Sequence, residues 1–190
     1  MVMNFAVITS RSKPIRNDLP PILGAKAVWD FSSIVIPKKL RTKDTYFAIE
    51  VLPADQIDRA EFRGLPSDSL AIVGILASSF FPIWVRAISD RTVTVGEESA
   101  NVYNNFPFPD LSKSQNKLLE EKVGKVFKAR SILSFNKLSD IYSGQVLPEH
   151  LLIAHEDLDE VLLGIFGLPL EANNAEILEV LMKRFVELSK

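Results

Sequence analysis

The chain has 190 residues, of which 47% are hydrophobic and 24% charged, a composition typical of a folded protein with one or two domains. It contains no cysteine, which excludes disulfides, thiolate metal sites and a cysteine nucleophile. No apolar run reaches the roughly 20 residues of a membrane-spanning helix, and the N-terminus lacks the pattern of a signal peptide. The sequence therefore predicts a cytoplasmic protein with no membrane partner.

The net charge of −2 conceals an uneven distribution along the chain. Residues 1–47 hold eight basic and three acidic side chains, a net charge of +5, and residues 111–137 hold seven and two, again +5. Residues 138–190 hold three basic and ten acidic side chains, a net charge of −7. Contact of the two basic segments with a polyanion would explain this segregation, and so would solvated helix faces and loops.

The first 108 residues have the character of mixed, strand-rich structure. Short β-branched or aromatic runs predict strands at residues 5–9, 32–37, 46–52 and 92–95, with loops at 14–24 and 63–69. The apolar segment from Gly74 to Ile88 is long enough to favour a buried helix. Pro82 is expected to kink or interrupt that helix, because proline removes a backbone donor.

From Ser112 onward the hydrophobic period becomes helical. The spacing of Ser112 and Gln115 predicts a capping box, and Asn173 with Glu176 predicts a second one for the last helix. Two further helices are predicted: a short one capped by Asn136 and ending near Tyr142, and one from Pro148 to a stop at Gly167. Core-facing positions are predicted at Leu119, Val123, Val126, Phe127, Leu133, Leu151, Leu152, His155, Leu158, Leu162, Phe166, Ile177, Leu178, Leu181, Phe185 and Leu188. We therefore predict an α+β fold, with a strand-rich domain over residues 1–109 and a helical domain over residues 110–190.

The sequence shows no catalytic or metal-binding pattern. The eight glycines do not cluster into a phosphate-cradling loop, and His150 and His155 point in different directions on one helix. His155 is expected to be an inward-facing, hydrogen-bonded packing residue. The acidic residues at 156, 157, 159 and 160 are expected to form a solvated helix face rather than a general acid–base pair.

Several motifs resemble one protein family. The segments "VGILASSFFPIWVRAISDR" (73–91) and "NVYNNFPFP" (101–109) are similar to the C-terminal part of large bacterial adenine-specific DNA methyltransferases. These belong to single-chain restriction–modification enzymes of the type IIG/IIL kind. The upstream segment "VIPKKLRTKDTYFAI" (35–49) resembles the family's Val-Pro, basic stretch and Tyr, and residues 128–162 resemble its helical tail.

The resemblance implies a function for the chain. It would be the target-recognition portion of a site-specific adenine DNA methyltransferase, with double-stranded DNA and an upstream methyltransferase domain of the same polypeptide as partners. The family's catalytic domain holds S-adenosylmethionine and a Pro-Pro motif, and neither a cofactor pocket nor that motif is found in this sequence. We therefore expect DNA binding without chemistry and without a cofactor in this chain. The alternative is a protein-interaction module whose basic patches bind an acidic partner.

The resemblance also suggests which residues contact DNA. The predicted contacts to the DNA backbone are Lys38, Lys39, Arg41 and Lys43. Base-reading side chains of the family cluster in a variable segment, which here is 91–99, and the predicted readers are Arg91, Thr92, Thr94 and Glu97. Val93 and Val95 would either touch a thymine methyl group or form strand core. Arg86 matches a second arginine of the family. The alternative is that Arg86 has a structural role in the fold.

Residues 102–112, "VYNNFPFPDLS", form the joint between the two predicted domains. The resemblance places Asn104, Phe106, Pro107 and Pro109 at the exit from the recognition domain. Prolines fix φ and the rings are expected to pack the joint, so that both parts hold one orientation. The alternative is that the aromatic rings are exposed and stack on an unpaired base.

Overall fold

The structure is a computed structural model that describes residues 13–23, 30–89, 93–94, 97–134, 137–142 and 146–190, with the backbone alone at 93–94 and 97–100. The strands are β1 (Ser33–Pro37), β2 (Lys39–Leu40), β3 (Glu50–Leu52), β4 (Phe62–Leu65) and β5 (Val93–Thr94). The helices are α1 (Leu70–Ala77), α2 (Phe80–Ile88), α3 (Glu97–Asn104), α4 (Lys113–Ser131), α5 (Leu138–Ile141), α6 (Glu149–Phe166) and α7 (Asn174–Leu188). The predicted α+β class, with a helical C-terminal part, is confirmed.

β1 is the central strand of a three-stranded antiparallel sheet with the order β3-β1-β4. Because successive side chains of a strand point to opposite faces, Ile34 and Ile36 enter the main core while Val35 packs with Ile57 and Phe62 on the other side. A second, smaller sheet pairs β2 with β5 in antiparallel register.

The strand predictions were right in part. The prediction over 32–37 is confirmed, but the one over 46–52 is wrong for its first four residues, which are buried in the core without a strand pairing; β3 begins at Glu50. β4 was missed because Arg63 and Gly64 interrupt its apolar character, so the predicted loop at 63–69 was wrong at its start. The predicted strand over 5–9 lies outside the described residues.

The apolar segment after β4 forms two helices rather than one. α1 and α2 meet at an angle of 58°, and the break lies at Ser78 and Ser79, not at Pro82. The Ser78 hydroxyl donates to the Ile75 carbonyl at 2.7 Å and accepts from the Phe80 amide at 3.3 Å, so it serves the end of one helix and the start of the next. Pro82 lies in the first turn of α2, where an amide donor is not needed.

The predicted helix boundaries in the C-terminal part are largely confirmed. Ser112–Gln115 and Asn173–Glu176 form the two predicted capping boxes. Gly167 ends α6 with a left-handed φ of 69°. Two details differ: α6 begins at Glu149, with Pro148 in the capping position, and Lys137 precedes α5. The predicted cap Asn136 lies outside the described residues.

One hydrophobic core includes side chains from both predicted domains. Trp84 of α2 contacts Phe185 of α7 with 5.6 Å between the ring centroids, and Phe80 stacks on Phe166 at 5.2 Å. Gly74 allows α1 to approach α4 closely, since a Cβ there would lie 3.0 Å from Val123 Cγ2. The division into domains at 109/110 stays a prediction.

Among the described residues, no single helix has the length and apolar character to cross a membrane. The bent pair α1–α2 meets that criterion only when its two helices are counted together, and most of their side chains are buried in the core.

Candidate nucleic-acid interface

The predicted DNA-backbone contacts lie on the β2 turn, which we define as residues 38–44. Lys39 is exposed within β2, and Lys43 is exposed in the turn that follows. Lys38 is half-buried, and its Nζ donates to the Arg59 carbonyl at 2.5 Å. The structure therefore brings the four predicted residues together, and it leaves Lys39 and Lys43 most accessible to an external anion.

Arg41 is bound to a carboxylate within the same turn. Its Nε donates to Asp44 Oδ2 at 3.0 Å, and Asp44 is almost completely buried. Arg86 of α2 donates to the Asp44 carbonyl at 3.2 Å, and burial lowers the pKa of the Arg86 guanidinium. The structural alternative for Arg86 is thus supported, since it fixes the β2 turn against α2.

Of the predicted base readers that are described, Thr94 adjoins this turn. In the pairing of β2 with β5, Thr94 lies opposite Lys39 and Val93 lies opposite Leu40. Glu97 is the first residue of α3, a helix that the sequence analysis did not predict. Arg91, Thr92 and Val95 lie outside the described residues. The assignment of these side chains to base reading stays a prediction.

The predicted joint is packed by its aromatic rings. Phe106 and Phe108 are fully buried, and their ring centroids lie 4.8 Å apart in an edge-to-face arrangement. Tyr103 contacts Phe108 and donates its hydroxyl to the Pro20 carbonyl at 2.8 Å, and burial raises its pKa. The alternative in which these rings stack on an unpaired base is wrong, because all three rings are buried. Asn104, Pro107 and Pro109 are buried as well.

An exposed carboxylate ties three segments together at the exit from this joint. Asp110 pairs with Arg16 at 3.0 Å and with Arg184 of α7 at 2.5 Å. Arg16 also donates to the Pro109 carbonyl at 2.6 Å, and Arg184 to the Phe108 carbonyl at 3.4 Å. These bonds hold the segment before β1, the joint and the last helix in one arrangement.

A buried polar chain runs beneath the β2 turn; its members are Arg130, Tyr142, His155, Tyr46 and Asp159. Arg130 Nε donates to the Tyr142 hydroxyl at 2.6 Å, and that hydroxyl contacts His155 Nε2 at 2.8 Å. Since the hydroxyl accepts from arginine, it donates to Nε2, and the imidazole is neutral. Burial, and next the charge of Arg130, lower the pKa of His155 to about 3. The prediction of an inward, hydrogen-bonded His155 is confirmed.

Asp159 continues the polar chain. Its carboxylate accepts from the Tyr46 hydroxyl at 3.0 Å and from the Ser79 amide at 2.8 Å. Burial raises the pKa of Asp159 to about 6. The prediction that this residue belongs to a solvated helix face was therefore wrong, because position 159 faces the α1–α2 break. Glu156 and Glu160 are exposed as predicted.

Much of the basic charge in residues 111–137 is balanced inside the chain. Asp157 of α6 pairs with Lys122 at 2.9 Å and with Lys125 at 3.3 Å. Lys137 pairs with Glu61, and Arg130 lies 3.2 Å from Glu50. Exposed lysines remain on α4 at positions 113, 117 and 128. The β2 turn is therefore the stronger candidate for contact with a polyanion.

A groove of about 390 Å³ borders the β2 turn. Lys43 lies at its edge, and Tyr46 and Tyr142 form part of its wall. Both tyrosines belong to the buried polar chain, so the hydrogen bonds of that chain hold this wall of the groove in place. The concave surface next to Lys43 is thus rigidly supported by the helical part of the molecule.

The described residues contain neither a glycine-rich loop nor a cluster of metal-ligating side chains. The described glycines lie within a strand or helix or end one, and only Gly167 among them has a positive φ, so they form no nucleotide-cradling loop. In the described part of the chain, no three histidine or acidic side chains are grouped to hold a metal. The expectation that this chain holds no cofactor stays a prediction.

The fold joins a strand-rich part, which carries the basic turn, to a helical tail. Comparison with known proteins identifies it further, because residues 24–110 match the family model described as the target recognition domain of MmeI. Residues 24–110 thus match a target recognition domain, and the resemblance seen in the sequence is confirmed.

Two individual proteins extend the comparison beyond residue 110. DNA methyltransferase A of Bacillus subtilis (strain 168) is 28% identical over 159 residues, which cover 83% of this chain and 18% of that protein. The type IIL restriction-modification enzyme MmeI, solved in complex with DNA, superposes with a TM-score of 0.72 at 22% identity over 84% of this chain and 22% of its own. The chain thus spans about a fifth of the length of either relative.

Proposed function

We propose that this chain binds double-stranded DNA and selects the site at which a methyltransferase domain of the same polypeptide acts on adenine. The observation that carries the proposal is the β2 turn, where Lys39 lies opposite Thr94 of β5 and Lys39 and Lys43 are both exposed, within the segment that matches the target recognition domain of MmeI. Exposed lysines on a rigid support suit phosphate oxygens, which fix the register of a duplex without reading its sequence.

The division of labour between two domains has a physical reason. Methylating adenine in a duplex requires the base to leave the stack and enter a catalytic pocket, so a separate surface has to choose the site. S-adenosylmethionine would then be held by the methyltransferase domain and not by this chain. A cytoplasmic location, where the DNA of a bacterial cell lies, belongs to the same proposal.

Salt dependence of duplex binding tests the proposal. The 190-residue chain and its Lys39→Ala/Lys43→Ala variant are titrated with short duplexes of unrelated sequence over a range of salt concentrations. Removing one lysine–phosphate ion pair is expected to reduce the slope of log K against log salt by about 0.9, so the double variant should lose roughly 1.8 for every duplex. The control is Lys183→Ala/Lys190→Ala, which removes the same charge from exposed positions at the acidic end of the chain.

Two results would contradict the proposal. An unchanged slope in the Lys39→Ala/Lys43→Ala variant would remove the β2 turn from the interface. Failure of the unaltered chain to bind any duplex, together with binding to an acidic protein that duplexes do not displace, would favour the protein-interaction module instead.

A further inference from the structure

Arg41 differs from the lysines around it, because a carboxylate already binds it. Its Nε donates to Asp44 Oδ2 at 3.0 Å, and its side chain is 27% exposed. The two terminal nitrogens of the guanidinium form no hydrogen bond to another described residue. Among the described residues nothing binds the terminal nitrogens of this planar, two-pronged donor, while its Nε edge is fixed.

Asp44 cannot move to follow Arg41, because it is held on several sides. Its side chain is only 6% exposed, its amide donates to the Arg41 carbonyl at 3.0 Å, and its carbonyl accepts from Arg86. A side chain that is fixed by a further layer of contacts presents its donors in a defined direction. Arg41 is thus preorganised in a way that the flexible stems of Lys39 and Lys43 are not.

The charges of the Arg41–Asp44 pair favour directional recognition of acceptor atoms over general attraction of DNA. Arg41 and Asp44 together carry no net charge, so the pair adds little to the long-range attraction of a polyanion. A fixed guanidinium fork still matches two adjacent acceptors, and the O6 and N7 atoms of guanine in the major groove are such a pair. Binding through a group that is already ordered also avoids part of the entropy cost of association.

The position of Arg41 in the fold agrees with this role. It directly follows Leu40, and β2 pairs with β5 inside the segment where the family places its base readers. We propose that Arg41, positioned by Asp44, is a base-reading residue that recognises a guanine through its terminal nitrogens. This inference rests on the proposed function, and it moves Arg41 from the backbone-contacting group predicted from the sequence to the specificity-determining group.

Selection from a pool of short duplexes with a randomised centre tests the inference on the full chain. The unaltered chain is expected to enrich a motif with guanine at one position. Arg41→Lys keeps the charge but not the fork, and it is expected to reduce that preference by at least about fivefold, the lower end of what a bidentate contact supplies. Lys43→Ala, as the matched comparison, should weaken binding to all duplexes while the enriched motif stays the same.

Asp44→Asn separates positioning from simple structural support. Asparagine keeps the shape of the side chain but leaves the charge of Arg41 unbalanced, so affinity for all duplexes should rise and the salt slope should steepen by about 0.9. At the same time the guanine preference should fall, because the fork is held less firmly. A purely structural role would lower affinity and leave the motif unchanged.

The ways in which this inference can fail are distinguishable. If the folded Arg41→Lys variant enriches the same guanine-containing motif as strongly as the unaltered chain, Arg41 is not a base reader, while DNA binding itself stands. If the unaltered chain binds duplexes but enriches no guanine, the inference is likewise overturned. If the chain binds no duplex in the salt titration, the proposed function and this inference fail together.

Discussion

The buried polar chain and the β2 turn both contain cations, and they use them in opposite ways. Arg130 is 3% exposed and is bound by Tyr142, Glu50 and the Ile49 carbonyl. Lys43 is exposed at the rim of a groove and forms no ion pair with a described residue. The two environments show that a basic residue in the sequence indicates a binding surface only when the fold leaves its charge unbalanced.

This difference between paired and exposed cations distinguishes the two basic segments of the sequence. The two basic segments have the same net charge of +5 in the sequence, but the second has four of its seven cations paired within the molecule. Its charge therefore mainly joins α4 to α6 and to the strands. The first segment supplies the exposed lysines of the β2 turn.

The largest expected effect concerns Arg130. Arg130→Ala leaves Glu50 without its cation in a site where burial already raises the pKa of that carboxyl. Breaking a buried ion pair by removing one partner costs about 3–5 kcal/mol of folding free energy. Urea unfolding measures the loss, and Lys128→Ala on the exposed face of the same helix should stay within about 0.5 kcal/mol of the unaltered chain. Similar losses for both variants would erase the distinction between interior and surface cations.

Two glycines show the same contrast between interior and surface in their packing. Gly74→Val should destabilise the fold by about 1–3 kcal/mol, because the space next to Gly74 is filled by Val123, Leu119 and Leu158. Gly124→Ala should stabilise it by about 0.5–1 kcal/mol, since no atom lies within 4 Å of a Cβ there and alanine favours the helix. Thermal unfolding of both variants measures the loss of stability in the first and the gain in the second. A gain of stability in Gly74→Val would contradict the close approach of α1 to α4.

The buried polar chain is expected to make stability depend on pH. The pKa of His155 is about 3 in the fold and 6.5 in an unfolded chain, so protonation of the unfolded chain destabilises the protein as pH falls below 6.5. His155→Gln removes this penalty, and its stability deficit relative to the unaltered chain should shrink by about 1.4 kcal/mol per pH unit below that point. Urea unfolding at about pH 7 and about pH 5 measures the deficit.

Asp159→Asn is the matched comparison, with the opposite sign. The pKa of Asp159 is raised to about 6 from 3.8, so its protonation stabilises the fold as pH falls through 6, and that stability is lost as pH rises. The deficit of Asp159→Asn should therefore widen on acidification. A deficit that is independent of pH in both variants would show that neither group is buried as the structure has it.

The parts of the fold that depend on neighbours in sequence could be predicted. The capping boxes at Ser112 and Asn173 and the left-handed stop at Gly167 follow from spacings of a few residues, and all three are confirmed. An interruption of the apolar helix was predicted at Pro82 and is found at Ser78 and Ser79, because the sequence does not show that the Ser78 hydroxyl can serve both helix ends.

Partners far apart in sequence could not be predicted. Asp159 binds the Ser79 amide 80 positions away, so its place in an acidic run indicated a solvated position, whereas the fold half-buries it. The same holds for the interface. The basic stretch was visible in the sequence, but the difference between bound Arg41 and exposed Lys43 depends on Asp44, whose carbonyl accepts from Arg86 of α2.

The shared core also determines how large a transplantable recognition unit has to be. A fragment cut after residue 110 would expose the faces of α1 and α2 that now meet α4, α6 and α7, including the contacts of Trp84 with Phe185 and of Phe80 with Phe166. Such a fragment would carry an apolar surface prone to aggregation. A chimaeric enzyme that borrows this specificity should therefore receive the strands and the helical tail as one cassette, with its downstream seam beyond α7.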